Sequence, residues 1–77
     1  MEDLLEFLAR ALVDNPEAVS IEGFDEDDGT IVLEIHVADE DVGQMIGRGG
    51  RTISSVRTVM RAVASRRDER VLVDVID

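Results

Sequence analysis

The chain has no cysteine, no tryptophan, no tyrosine and no lysine, and it carries one histidine, one proline and two phenylalanines in 77 residues. Without cysteine there is neither a disulfide framework nor a thiolate zinc site, and a single histidine excludes a His-rich metal centre. No apolar run approaches the roughly 18–20 residues that a membrane span requires. Met1-Glu2-Asp3 is acidic where a secretory signal peptide would be basic. The expectation is a soluble, cytoplasmic protein. No nucleophile–base pair, metal cluster or cofactor motif is visible, so neither an enzyme nor a small-molecule substrate or cofactor is expected. A chain this short buries only about 60–65% of its unfolded surface, so a single small core must supply the stability.

What the chain does have is charge, unevenly placed. Eighteen acids against eight arginines give a net charge of -10, which argues against nonspecific attachment to nucleic acid. Residues 1–43 hold fourteen acids and one arginine, whereas residues 44–67 hold no acid and six arginines: Arg48, Arg51, Arg57, Arg61, Arg66 and Arg67. GC-rich coding or salt adaptation accounts for a preference for arginine and acid, but less well for this clustering. A guanidinium offers a planar fork of donors suited to phosphate and base edges.

Hydrophobic spacing sets out the elements. Leu4, Leu5, Leu8, Ala11 and Leu12 recur at helical intervals between Asp3 and Asp14, with Asp3 and Glu6 spaced as a capping box and Asn15-Pro16 as the stop. Val19 to Phe24 alternates as a strand, Asp25 to Gly29 is a turn-forming loop, and Ile31 to Ala38 alternates again, so the two strands read as an antiparallel hairpin. Asp39 is the expected N-cap of a short helix from Glu40 to Ile46. Gly47-Arg48-Gly49-Gly50 interrupts it, and Ile53, Val56, Met60, Val63 and Ala64 mark a second helix from Arg51 that ends near Arg67-Asp68. Val71, Val73 and Val75 form the inward face of a last strand. The order is α-β-β-α-α-β. A strand, two helices and a strand need a crossover, so the last strand should lie parallel to a hairpin strand. An α+β fold follows, with a three-stranded mixed sheet and the helices packed on one face.

The Gly-rich segment carries the chemistry. It follows a helix rather than a strand and lacks the third glycine of G-x-G-x-x-G, and Gly50-Arg51-Thr52 lacks the lysine of a P-loop. What remains is a G-x-x-G turn between two helices. Gly47 and Gly50 let the main chain approach a phosphate without Cβ interference, and the amides opening the next helix point at the anion. Arg48 and Arg51 add charge there.

The run Val42-Gly43-Gln44-Met45-Ile46-Gly47-Arg48-Gly49-Gly50-Arg51-Thr52-Ile53, together with the Leu-rich first helix and the Val71–Val75 strand, resembles the type II KH domain. In particular it is similar to the small bacterial single-KH RNA-binding proteins of the KhpA (YlqC-like) group. The resemblance spans essentially the whole chain, which would be one KH domain over residues 1–77, and departs mainly in its acidity and in Arg48 standing where lysine is common. It implies a groove that holds about four nucleotides of single-stranded RNA, with Gly47, Arg48, Gly49 and Gly50 as the clamp. Val42, Met45, Ile46 and Ile53 would form an apolar floor. It also implies RNA chaperone or regulatory activity, a family role in cell-envelope and cell-shape regulation, and pairing with a second copy or with a KH-containing partner of the Jag/KhpB type.

From the residues themselves, Arg57 and Arg61 lie one helical turn apart beside Ser54, placed to track phosphates or simply to form a solvated helix face. Phe7 and Phe24 lie outside the motif, so base stacking worth about 1–3 kcal/mol per base is not expected. Arg66 and Arg67 suit a helix C-terminus, and the consecutive Asp39, Glu40 and Asp41 suit a helix start rather than a metal site. His36 points away from the helices and is expected to be exposed or partner-facing rather than a ligand. Val59, Val32, Leu72 and Ile76 leave apolar surface that suggests a dimer. The competing reading is an acidic protein-interaction module on the same fold, without RNA affinity of its own.

Overall fold

The computed structural model describes residues 1–76. Six principal elements follow in the expected order: α1 (Glu2–Leu12), β1 (Ser20–Asp25), β2 (Ile31–His36), α2 (Val42–Ile46), α3 (Arg51–Arg66) and β3 (Val71–Ile76). Short 3₁₀ turns at Pro16–Ala18, Asp39–Asp41 and Arg48–Gly50 complete the chain. The sheet order is β1-β2-β3, with β1 antiparallel and β3 parallel to β2. Alternation explains which face is covered. Leu33 and Ile35 of β2 and Val71 and Val73 of β3 are buried with Leu5, Ala9, Met45, Val56 and Met60 of the helices, whereas Phe24 and Leu72 on the opposite face are exposed. Among the described residues, no helix is long and apolar enough to cross a membrane.

Three local expectations change. Helix α1 starts at Glu2 with Met1 as its N-cap and has no side-chain cap, so Asp3 and Glu6 do not form a capping box. The Leu5 amide donates to the Met1 carbonyl at 3.1 Å, which places Glu2 and Asp3 in the first turn, where the helix dipole favours acids. The inward small residue of α1 is Ala9, fully buried, and not the exposed Ala11. Asp39 is likewise not an N-cap: it opens a 3₁₀ turn that leads into α2, and among the described residues no side chain caps either element.

Asp41 in that turn has a use that the sequence pattern does not reveal. It is 1% exposed, and its carboxylate accepts from the backbone amides of Asp14 (3.3 Å) and Asn15 (3.0 Å). These are the amides just past the end of α1, so one buried carboxylate ties that chain reversal to the start of α2. Charge-assisted bonds of this kind contribute about 1.5–3 kcal/mol, and their removal strands buried donors. Asp41→Ala is therefore expected to lose about 2–3 kcal/mol in urea unfolding at neutral pH; an unchanged midpoint would show that water satisfies the two amides equally well.

At the other end, Asp28 accepts from the Thr30 amide at 2.9 Å and pairs with Arg70 at 3.0 Å, so the hairpin loop is fastened beside the start of β3. The Thr30 bonds hold the Asp28 carboxyl below its ordinary value, with Arg70 assisting. The folded-state value is depressed, so this tie is intact above the ordinary aspartate range and is lost as the pH falls through the folded value.

Candidate nucleic-acid interface

The Gly47–Gly50 segment joins α2 to α3 through closely spaced backbone bonds: the Gly47 amide donates to Gly43 (2.8 Å) and the Gly50 amide to Gly47 (3.0 Å). Gly47, Gly49 and Gly50 have φ of 80°, 65° and 76°. Two of these glycines have different reasons to be there. A Cβ on Gly47 would collide with Thr52 Oγ1 and lie 2.7 Å from Thr52 Cβ and 2.8 Å from its backbone nitrogen, so the turn closes directly onto the first turn of α3. A Cβ on Gly49 would meet nothing within 4 Å, so its outer face is open.

Helix α3 runs sixteen residues and has no side-chain cap among the described residues; Gly50 occupies the N-cap position in left-handed geometry. Its positive dipole end therefore faces the loop with Arg48 and Arg51 exposed beside it. Together these groups make this corner locally positive, in a molecule whose acids lie mostly elsewhere, and give it the chemistry that suits an anion.

A groove of about 440 Å³ runs from this corner between α3 and β3, lined by Ile46, Ile53, Arg57, Asp74, Val75 and Ile76. The apolar floor is thus narrower than expected. Ile46 is 40% exposed and offers real surface, Ile53 is buried in the core and only borders the groove, and Val42 is half-buried outside the groove lining. Met45 is fully buried and serves the core alone, because its turn of α2 faces the sheet. The β3 wall, Asp74 to Ile76, does not stand out in the sequence. The parallel crossover is the one clue to it, since a last strand parallel to β2 must lie alongside the returning α3.

The two helix arginines separate. Arg57 Nε donates to the Val73 carbonyl at 2.8 Å and its Nη2 lies 3.4 Å from Asp74 Oδ1, so this guanidinium straps α3 to β3 and forms part of the groove wall. Arg61 is exposed in a second, larger cleft of about 740 Å³ whose lining includes Glu26, Asp28, Asp68 and Glu69. That cleft is the bigger cavity, but its acidic border suits a polyanion poorly; the Gly-loop groove fits better. Ser54 is exposed on α3 near the loop.

Comparison with known proteins agrees with this fold. The family model for the KH domain of KhpA/KhpB matches residues 2–75. The chain belongs to the KhpA/KhpB KH-domain family. Members similar over their full length include the RNA-binding protein KhpA of Clostridium acetobutylicum, 41% identical over 76 residues and covering 99% of this chain and 100% of that protein. KhpA of Caldanaerobacter subterraneus is 40% identical with the same coverage, and KhpA of Halalkalibacterium halodurans is 40% identical with 100% of both chains covered. Among solved structures, Era of Aquifex aeolicus superposes with a TM-score of 0.65 at 17% identity, covering 97% of this chain and 30% of that one. A second Era structure, in complex with MgGDPNP and nucleotides of 16S ribosomal RNA, matches equally well. At this identity the likeness concerns the fold. Both the KhpA/KhpB family and the type II KH architecture expected from the sequence are thereby established.

Proposed function

We propose that this chain is a non-enzymatic RNA-binding protein, one KH domain in which Gly47, Arg48, Gly49 and Gly50 clamp the backbone of single-stranded RNA. The observation that carries this reading is the open left-handed Gly49-Gly50 turn at the uncapped N-terminus of α3, flanked by exposed Arg48 and Arg51. The phosphate sits against loop amides and the dipole end, and the bases lie along Ile46, Ile53 and the β3 edge. With no Trp or Tyr in the chain, affinity rests on phosphate contacts and apolar surface rather than on aromatic stacking. Sequence preference is accordingly weak, as suits an RNA chaperone or post-transcriptional regulator in the cytoplasm. Exposed Phe24, Val59 and Leu72 support pairing with a second KH domain, of this chain or of the KhpB type. The family's cell-shape role is carried with the same reading.

Fluorescence anisotropy with labelled single-stranded RNA across a salt series tests it. Removing one arginine–phosphate pair reduces the slope of log K against log salt by about 0.7 for single strands. Arg48→Ala and Arg51→Ala are each expected to flatten the slope by roughly that amount, whereas Arg61→Ala leaves it unchanged. Native slopes for both Arg48→Ala and Arg51→Ala would remove the loop from the interface.

A further inference from the structure

The outer face of the sheet holds a second cluster of chemistry. Register pairs Glu22 of β1 with Glu34 of β2, and Glu34 in turn with Asp74 of β3, so three carboxylates form a row across the sheet. Like charges directly opposite one another destabilise a sheet. Asp74 is compensated by Arg57. For Glu22 and Glu34, among the described residues, only His36 stands close, two positions along β2 on the same face. His36 Nε2 lies 3.2 Å from Glu22 Oε1 and 3.8 Å from Glu34 Oε1. That nitrogen is inaccessible to solvent and makes no hydrogen bond among the described residues, although the imidazole as a whole is one-third exposed. A buried ring nitrogen is thus held between two carboxylate oxygens without a directed bond to either.

We propose that Glu22, Glu34 and His36 form a binding site for a divalent transition-metal cation of the zinc type. The three ligand atoms lie within 4.8 Å of one another. Bonds of about 2.1 Å arranged tetrahedrally place ligand atoms about 3.4 Å apart, which the two nitrogen–oxygen separations bracket. One imidazole with two carboxylates favours zinc over magnesium, which prefers oxygen donors and retains its water. Glu22 is the most exposed of the three, so the remaining position opens to solvent and takes water. Such a cation neutralises the Glu22–Glu34 pair and pins the edge strand β1 to β2. The site lies on the sheet face away from the helices and is independent of the RNA reading.

His36 is the sole histidine, so its ring resonances report on the site without assignment ambiguity. The test uses chelator-treated full-length protein titrated with ZnCl₂, followed by calorimetry and by ¹⁵N-detected imidazole NMR, with CoCl₂ absorption as a second probe. One equivalent is expected to bind with micromolar affinity, to shift the Nε2 resonance, and to raise Tm by about 10 °C or more at a hundredfold excess over Kd. His36→Asn, Glu22→Gln and Glu34→Gln should each weaken binding at least tenfold, with circular dichroism verifying the fold, and excess MgCl₂ should not compete. The proposal is overturned if zinc leaves the native His36 resonances unmoved, in which case Nε2 belongs to a plain ion pair. It is equally overturned if folded His36→Asn binds zinc as tightly as the native chain.

Discussion

Gly49→Asp is expected to fold and to lose RNA binding by about thirtyfold, with Gly49→Asn remaining within roughly threefold of the native affinity. The backbone there has φ 65° and ψ 19°, a left-handed conformation that Asp and Asn tolerate better than other side chains. The Cβ position is open on all sides, so the folding cost is confined to the backbone preference, about 1 kcal/mol. In the proposed complex a carboxylate at this position faces the clamped phosphate. Two like charges about 4–5 Å apart repel by roughly 1–4 kcal/mol as the effective dielectric falls from that of water to that of a protein surface. A value near 2 kcal/mol corresponds to the thirtyfold loss. Asparagine has the same shape without the charge, so the pair separates electrostatics from sterics. Anisotropy on both variants, after circular dichroism has shown the native helix content, decides the matter. If Asp and Asn bind alike, and both as the native protein does, the Gly loop does not contact the phosphate.

Gly47→Ala, two residues away, should behave in the opposite manner and damage the fold itself. Its φ 80° and ψ 169° lie in a region accessible almost solely to glycine, at a cost of about 1–3 kcal/mol for any other residue. The new methyl would also strike Thr52, and of the atoms it meets the backbone nitrogen at 2.8 Å cannot yield without unwinding the start of α3. Together these effects amount to about 3–5 kcal/mol, against a total stability of roughly 4–11 kcal/mol for a chain of this length. A fall in Tm of about 15 °C or more is expected from thermal melting. Thr52→Ala in the same background removes the hydroxyl clash but leaves the backbone one, so it should restore only a minor part of the loss. A Gly47→Ala variant that melts with the native protein would mean that the loop readily adopts another path.

The element order and the position of the Gly-rich loop between two helices were legible because they rest on local patterns. Alternation at Ile31 to Val37 and at Val71 to Val75 matches the strands, the stripe Ile53, Val56, Met60 and Ala64 matches the buried face of α3, and the G-x-x-G segment lies between two helices as its glycines require. The parallel placement of β3 also followed, since a two-helix crossover leaves few alternatives. The caps were less readable. Asp3 and Asp39 have the right chemistry for an N-cap, but the helix start is set by where Met1 and Leu5 pack and by a 3₁₀ lead-in to α2, and these are tertiary matters.

What the sequence by itself determined is therefore the α-β-β-α-α-β order, the inward faces of its strands and helices, and the acid-free, Arg-bearing Gly loop, because periodicity and backbone freedom are properties of neighbouring residues. Tertiary structure alone decided that Asp41 is buried under the end of α1 and that Arg57 is spent on β3 while Met45 is spent on the core. It alone also set Glu22 opposite Glu34, with His36 between them. Each of these depends on register and packing between segments far apart in the chain, where a shift of one residue would turn every side chain of a strand to the other face.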